Sequence, residues 1–160
     1  MMKILFVCTG NICRSPTAEA IARHKAHVYQ VSDKFIFDSA GINSRHSGKS
    51  PDPRAVATGS KYCISFDGIK ARQLQQEDFA DFDLILTMDH GHYTSAMELC
   101  PEEYKNKVHL LLQYCNVENS WDDEVFDPYY RSNSGFDEVF VMIDQAIKNL
   151  FEQEREKESF

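Results

Sequence analysis

Four apolar residues, Ile4-Leu5-Phe6-Val7, run without a polar break into Cys8, and a helix-forming segment, Thr17 to Arg23, follows within a few residues. A strand with no alternation is covered on both faces, which is the pattern of a parallel sheet sandwiched between helices. Between strand and helix lie five residues, Thr9 to Cys13, closed by Arg14-Ser15-Pro16. Pro16 suits the first helical position and Ser15 the N-cap. A strand, a tight loop and a helix in that order commit the chain to an α/β layout.

The remaining segments repeat the alternation. Phe35-Ile36-Phe37 reads as a second strand ending in Asp38-Ser39-Ala40-Gly41, and Ile42 to Pro53 as a polar loop. Asp52-Pro53 offers an N-cap and first-turn proline for a helix that stops near Gly59. A short helix is expected within Lys70 to Phe79. Leu84 to Met88 gives a third strand, Asp89 to about Leu99 a helix, and Val108 to Leu112 a fourth strand. After a long irregular stretch, Gln113 to Gly135, the closing helix buries Phe136, Val139, Phe140, Ile143, Ile147, Leu150 and Phe151 at 3–4 spacing. Ser134 and Asp137 suit a capping box, and the charged tail from about Glu152 to Phe160 is expected to fray. The expected fold is one α/β domain over residues 1–160, with a small parallel sheet of about four strands and helices on both faces. Sites in such sheets lie beyond the carboxyl ends of the strands, where the Cys8–Ser15 loop sits.

Charge narrows the partners. A formal net charge of −8 leaves no basic stripe for a nucleic acid. The start, Met1 to Cys8, carries one lysine before a short apolar run, too little for a signal peptide, and no segment approaches the about 18 apolar residues of a membrane span. A cytoplasmic location with no membrane partner is expected. Five cysteines, Cys8, Cys13, Cys63, Cys100 and Cys115, show no framework spacing and suit free thiols. The Cys8/Cys13 and His90/His92 spacings do not give two ligand pairs of a structural zinc site.

The loop itself is built for an oxyanion. A helix N-terminus presents unpaired N–H groups and partial positive charge, and five loop amides turned inward would form a nest around a phosphate-sized anion. Gly10 and Asn11 accept the positive φ such a curl needs. Arg14 adds a planar fork that matches two oxygens of a tetrahedral anion. The same field favours Cys8 as thiolate, and Ser15 can donate a hydroxyl to its sulfur. Taken alone, a buried cysteine at a strand end is more often a small hydrophobe; the strand before, the glycine within and the Ser-Pro helix start after it favour a nucleophile. Gly48-Lys49-Ser50 imitates a Walker A end, but the glycine required earlier is Asn43, and a dinucleotide fingerprint fails with Gly10 alone in the first turn.

Attack on a phosphate ester also needs an acid for the leaving oxygen. Asp38, Asp52, Asp89, Asp122, Asp123 and Asp127 all qualify by residue type. Asp127 precedes Pro128, which favours an extended backbone, and sits among Trp121, Tyr129 and Tyr130, which would desolvate it so that it keeps a proton to donate.

Five motifs together resemble the low-molecular-weight protein tyrosine phosphatases: Val7–Pro16, Asp38–Ser39, Ser50–Ala55, Ala71–Gln73 and Asp127–Tyr130, within a likeness running from Lys3 to about Phe151. The resemblance implies a Cys8 nucleophile forming a phosphocysteine, Arg14 clamping the phosphoryl group, and Asp127 protonating the leaving phenol before activating water. It implies a phosphate-binding loop of Thr9, Gly10, Asn11, Ile12, Cys13 and Ser15, with Ser15 stabilising the thiolate and Asn11 holding the loop through a network that includes Ser39. Tyr129 and Tyr130 would wall the cleft, and in this family can be phosphorylated. Cys13 would pair reversibly with Cys8 under oxidation. Phosphotyrosine proteins are the implied substrates, inorganic phosphate and similar oxyanions the implied inhibitors, with no metal and no cofactor.

Departures are visible. Ile69 stands where the family often has a histidine that braces the loop asparagine, and Arg131 where a glycine often follows the two tyrosines. Arg45 and His46 stand where an aromatic is frequent, which points to acidic sequence flanking the phosphotyrosine. An arsenate reductase of the same fold would need a longer thiol relay. A protein-arginine phosphatase resembles this loop with Thr at the place of Ile12. An inactive phosphotyrosine-binding module would not require Cys8, Arg14 and Asp127 together.

Overall fold

The computed structural model describes residues 1–117 and 123–158. Trp121 and Asp122, named above as an aromatic neighbour and a candidate acid, lie outside the described residues. Four parallel strands, β1 (Met2–Cys8), β2 (Phe35–Gly41), β3 (Leu84–Thr87) and β4 (Val108–Leu110), form a sheet in the order β2-β1-β3-β4. The first strand is central, which explains its unbroken apolar run. Its even-numbered side chains, Ile4 and Phe6, join Phe35, Phe37, Leu84 and Leu86 under helices α1 (Arg14–Val28) and α6 (Asn133–Glu158). Leu5 and Val7 point the other way, with Ile85 and Val108, toward α3 (Asp78–Asp81) and α4 (His90–Leu99). Helix α2 (Pro53–Lys61) packs beside α6, and a single turn, α5 (Leu111–Tyr114), follows β4. The single α/β domain and its helices on both faces match the sequence expectation.

The departures have local causes. Helix α1 begins at Arg14, with Cys13 at the N-cap, because the Ser15 hydroxyl is engaged inside the loop and cannot cap. Residues Lys70 to Gln73 are extended rather than helical: Gly41 N donates to Arg72 O at 2.8 Å and Leu74 N to Gly41 O at 2.8 Å, so the segment bridges the end of β2. Only Asp78–Asp81 forms a helical turn there. The fourth strand stops at Leu110, and Leu111 and Leu112 turn into α5 to bury against the α6 side. No capping box forms at Ser134, which lies inside α6 and meets Ser132 Oγ at 2.8 Å, while Asp137 pairs with Lys61 at 3.0 Å. The charged tail is helical to Glu158 and does not fray after Glu152. Gln153 Nε2 donates to Tyr114 O at 3.2 Å, and buried Glu154 pairs with Lys157 at 3.2 Å.

Candidate active site

The Cys8–Ser15 loop stands at the carboxyl end of β1, against the end of β2. Ile42 N donates to Cys8 O and Asn43 N to Thr9 O, at 2.9 and 3.1 Å, which stitches the loop to the neighbouring chain. Gly41 permits this approach: a Cβ there would stand 2.9 Å from Gly10 C and Thr9 O. The sequence reading missed Gly41, whose signal was its place directly after a strand that runs beside the loop.

Within the loop the left-handed backbone falls on Asn11 (φ 60°) and not on Gly10. Asn tolerates this region because its short polar side chain bonds locally. Asn11 Nδ2 donates to Ser15 Oγ at 2.7 Å, and Asn11 Oδ1 accepts from Arg72 N at 3.1 Å. The extended segment after Ile69 therefore braces Asn11 through its backbone, and Ile69 itself is core. Gly10 serves a different need, since a Cβ would fall 2.7 Å from the His46 ring that lies over it. Ser39 does not join the Asn11 network as expected. Its hydroxyl donates to buried Glu19 at 2.5 Å, and Glu19 also pairs with Arg23. Burial pushes the Glu19 carboxyl up, against the Ser39 hydrogen bond and the Arg23 charge.

Cys8 is buried, with Sγ 2.9 Å from Ser15 Oγ. Ser15 Oγ accepts from Asn11, and its own proton can go to the sulfur or to the more distant Ala40 O at 3.5 Å. Cys13 is set differently. Its thiol faces Asp52 Oδ2 at 3.9 Å, and burial, then the Asp52 charge, push it well above an ordinary thiol. Asp52, one of the candidate acids, caps α2 by accepting from Arg54 N at 2.8 Å and holds the Arg54 guanidinium with both oxygens. Burial opposes its ionisation, but the Arg54 bonds outweigh this and hold the carboxyl below its usual range.

Arg14 is buried and joins both halves of the site. Its Nη1 donates to Asp89 Oδ2 and Val125 O, each at 3.0 Å; its Nη2 donates to Thr9 Oγ1 at 3.2 Å and lies 3.6 Å from Asp127 Oδ2. Asp89 caps α4 by accepting from His92 N at 2.9 Å; burial works against its charge, but the His92 amide and Arg14 hold its carboxyl low. Of the other acid candidates, Asp38 pairs with Arg72 at 3.1 Å and Asp123 with His90 at 2.9 Å. Among the described candidates, Asp127 alone lines the cleft. Tyr129 N donates to its Oδ1 at 3.0 Å, a turn set by Pro128. Its side chain is 45% exposed, with Tyr129 and Tyr130 lining the same cleft.

A cleft of about 290 Å³ opens over the loop. Cys8, Thr9, Gly10, Ile12, Cys13 and Arg14 form its floor, Asn43, Arg45 and His46 one wall, and Asp127, Tyr129 and Tyr130 the other. The sequence reading placed all of these here except Asn43. It also missed Arg54, which donates to Tyr129 O at 3.0 Å and lies with its guanidinium 5.2 Å from the Tyr129 ring centre. Such a cleft, with a thiol below, an arginine fork beside it and a carboxyl at the mouth, fits a tetrahedral dianion on a flat aromatic group.

Residues 3–159 match the family model for low molecular weight phosphotyrosine protein phosphatase. The chain is 41% identical to the low molecular weight protein-tyrosine-phosphatase YfkJ of Bacillus subtilis, with 94% of each chain covered. It is 37% identical to the low molecular weight phosphotyrosine protein phosphatase of Sus scrofa, with 95% of each covered. Among solved structures, a protein tyrosine phosphatase from Entamoeba histolytica superposes with a TM-score of 0.92 at 37% identity, covering 99% of both chains.

Proposed function

Since the chain belongs to the low molecular weight phosphotyrosine protein phosphatase family, we propose that it hydrolyses the phosphotyrosine of protein substrates in two steps on the Cys8–Ser15 loop. The observation that carries this reading is the meeting of Cys8 and Arg14 with Asp127, which is remote from them in sequence, around one cleft. The Cys8 thiolate attacks phosphorus, forming the P–S bond as the P–O bond to the phenol breaks, and the Asp127 proton goes to the leaving oxygen. The Asp127 carboxylate then takes a proton from water, the oxygen attacks phosphorus, and the P–S bond breaks to restore the thiolate and release phosphate. Loop amides and Arg14 hold the equatorial oxygens through both steps.

Tyr129, 37% exposed, and Tyr130, 90% exposed, meet edge to face with ring centres 4.9 Å apart and offer one aromatic wall to a phenyl ring. Opposite them, Arg45 and His46 favour acidic residues beside the phosphotyrosine. Inorganic phosphate fits the same cradle and inhibits competitively. The thiolate mechanism supports a reducing, cytoplasmic setting; among the described residues no helix is long and apolar enough to cross a membrane. Arsenate reduction is less well supported, because of the five cysteines Cys8 and Cys13 alone line the cleft. The placement of Asp127 beside Arg14 favours hydrolysis over mere phosphotyrosine binding.

The deciding assay is metal-independent hydrolysis of aryl phosphates. Cys8→Ser is expected to abolish turnover, and activity surviving it would sink the mechanism. Asp127→Ala is expected to cost roughly 10²–10⁴-fold, most for poor leaving groups. In the same assay, phosphotyrosine peptides flanked by Glu should be cleaved faster than those flanked by Lys, and Arg45→Glu should reverse the order. An unreversed order would remove Arg45 from substrate choice.

A further inference from the structure

His92 has no part in the steps above, yet it lies directly behind them. It is buried on the first turn of α4, with Nε2 2.7 Å from Thr9 Oγ1 and 3.4 Å from Arg14 Nη2. Its Nδ1 lies 3.2 Å from Asp89 Oδ1, at an angle that makes no hydrogen bond. Among the described residues it is the buried side-chain nitrogen or oxygen left without a hydrogen-bond partner.

The chemistry of the neighbours assigns the protons. A guanidinium only donates, so the Nε2 edge facing Arg14 must be a lone pair. Thr9 Oγ1 already accepts from Arg14 Nη2 at 3.2 Å, which leaves its own proton for Nε2. The Arg14 contact requires an unprotonated Nε2 and the Thr9 hydroxyl can donate to it, so a neutral ring carries its hydrogen on Nδ1, facing Asp89. The second oxygen of Asp89 receives Arg14 Nη1 at 3.0 Å. The contacts thus run from Arg14 to Thr9, to His92, to Asp89 and back to Arg14.

We propose that His92 is a positioning residue for Arg14, acting as a neutral Nδ1–H imidazole that fixes the guanidinium plane through Thr9 while its Nδ1–H faces the Asp89 carboxylate that holds the other guanidinium nitrogen. The consequence for turnover rests on the phosphatase reading; the tautomer does not. The charged groups that face the ring are Arg14 from α1, Asp89 at the cap of its own helix, and Asp127 from the loop before α6. Burial first, then the Arg14 charge, push the imidazole down to about 4, and the two carboxylates oppose this. An imidazolium here would set a second cation against Arg14 and turn Nε2 from acceptor to donor, so two N–H donors would face each other across the Arg14 contact.

Two measurements test the proposal. In the wild-type protein, long-range 15N–1H NMR should show His92 as the Nδ1–H tautomer, without titration between pH 5 and 8. An Nε2–H tautomer, or titration near the ordinary histidine value, would overturn it whether or not the protein is an active phosphatase. The second compares His92→Asn with His92→Gln. The Gln carbonyl reaches the place of Nε2 and can accept from Thr9, whereas the shorter Asn cannot. Misplacing a clamp can cost about 10²-fold. For His92→Asn, normalised to the active sites counted in the first-turnover burst, a fall of roughly 10–100-fold in kcat/KM is expected on that scale, with a matching rise in the inhibition constant of inorganic phosphate. His92→Gln should recover to within about threefold of wild type. A purely structural role would lower the count of active sites and leave the per-site constants and phosphate inhibition unmoved. That outcome, or equal losses in both variants, counts against the proposal.

Discussion

The Cys8–Ser15 loop is fastened by neutral groups that are buried and close by. Asn11 bonds Ser15 and the Arg72 amide, Ser15 reaches Cys8, and the backbone of Cys8 and Thr9 holds that of Ile42 and Asn43. The loop bearing Asp127 is fastened from a distance, largely by charged side chains. Arg14 donates to Val125 O, Arg54 to Tyr129 O, and the Arg131 guanidinium lies 4.2 Å from the Phe126 ring centre. A backbone bond, Val125 N to Met88 O at 2.8 Å, ties it to the end of β3. Buried bonds are expensive to break because a partner is left unsatisfied, and on the Asp127 loop only the Arg14–Val125 tie is of that kind among the side-chain ties named. The exposed ties of Arg54 and Arg131 are weak and screened. A cradle that must match an oxyanion is therefore held rigidly. The acid, which must meet leaving groups of varied shape, is held on looser ties.

The largest effect should come from breaking the rigid side. Asn11→Ala removes both side-chain bonds, leaves the Arg72 amide without its acceptor, and keeps the Cβ at φ 60° without the local bonds that compensate for it. The left-handed backbone alone costs about 1–2 kcal/mol. We expect kcat/KM to fall by roughly 10²-fold for good and poor leaving groups alike, the size of a misplaced reacting geometry. Near-wild-type turnover would show that the amides of the loop hold their own curl.

Arg54 probes the other side. Arg54→Met keeps contact with the Phe136 ring, 4.5 Å from the guanidinium in the native protein, but removes the ties to Tyr129 and Asp52. The expected loss is about tenfold in kcat for poor leaving groups, a fraction of the 10²–10⁴ that a placed acid contributes. Inhibition by phosphate should hardly change. If it weakened in step with kcat, Arg54 would instead be supporting the cradle, through Asp52 and Cys13.

The same contrast explains what could be read in the sequence. The cradle is nearly contiguous, and its roles follow from residue type and order, so Cys8, Asn11, Arg14 and Ser15 were legible. The sheet was legible too, because a central strand must be apolar on both faces. What escaped depends on three-dimensional neighbours. Gly41 matters through a backbone that crosses nearby, and Arg72 acts through its amide, for which no side chain speaks. His92 carries the signal of an N-cap aspartate three residues before it, but not of the arginine it faces. The segment after Ile69 looked helical because its polar residues hide a bridge to Gly41. The helical tail after Glu152 looked exposed because its docking point, Tyr114, is remote in sequence.

The smallest effect expected concerns pH and the far end of the Asp127 loop. His90 Nε2 pairs with Asp123 at 2.9 Å, and His90 N donates to Glu124 Oε2 at 2.8 Å, both at the start of α4. The Asp123 hydrogen bond raises the His90 imidazole above its ordinary value of 6.5, with desolvation opposing and the Asp123, Glu124 and Asp89 charges adding to the rise. A raised histidine stabilises most where it is protonated in both states, so the tie is complete below its unfolded value and is lost as pH rises through the folded one. Amide exchange at Glu124 and Val125, corrected for intrinsic pH dependence, should therefore quicken by a few-fold between pH 5.5 and 8.5. Exchange at Asn11 and Ser15 should stay level. His90→Asn should flatten the first trend without touching the second. If both loops loosened together as pH rose, the charged ties and the buried ones would belong to a single cooperative unit, and the division between a rigid cradle and a loosely held acid would fail.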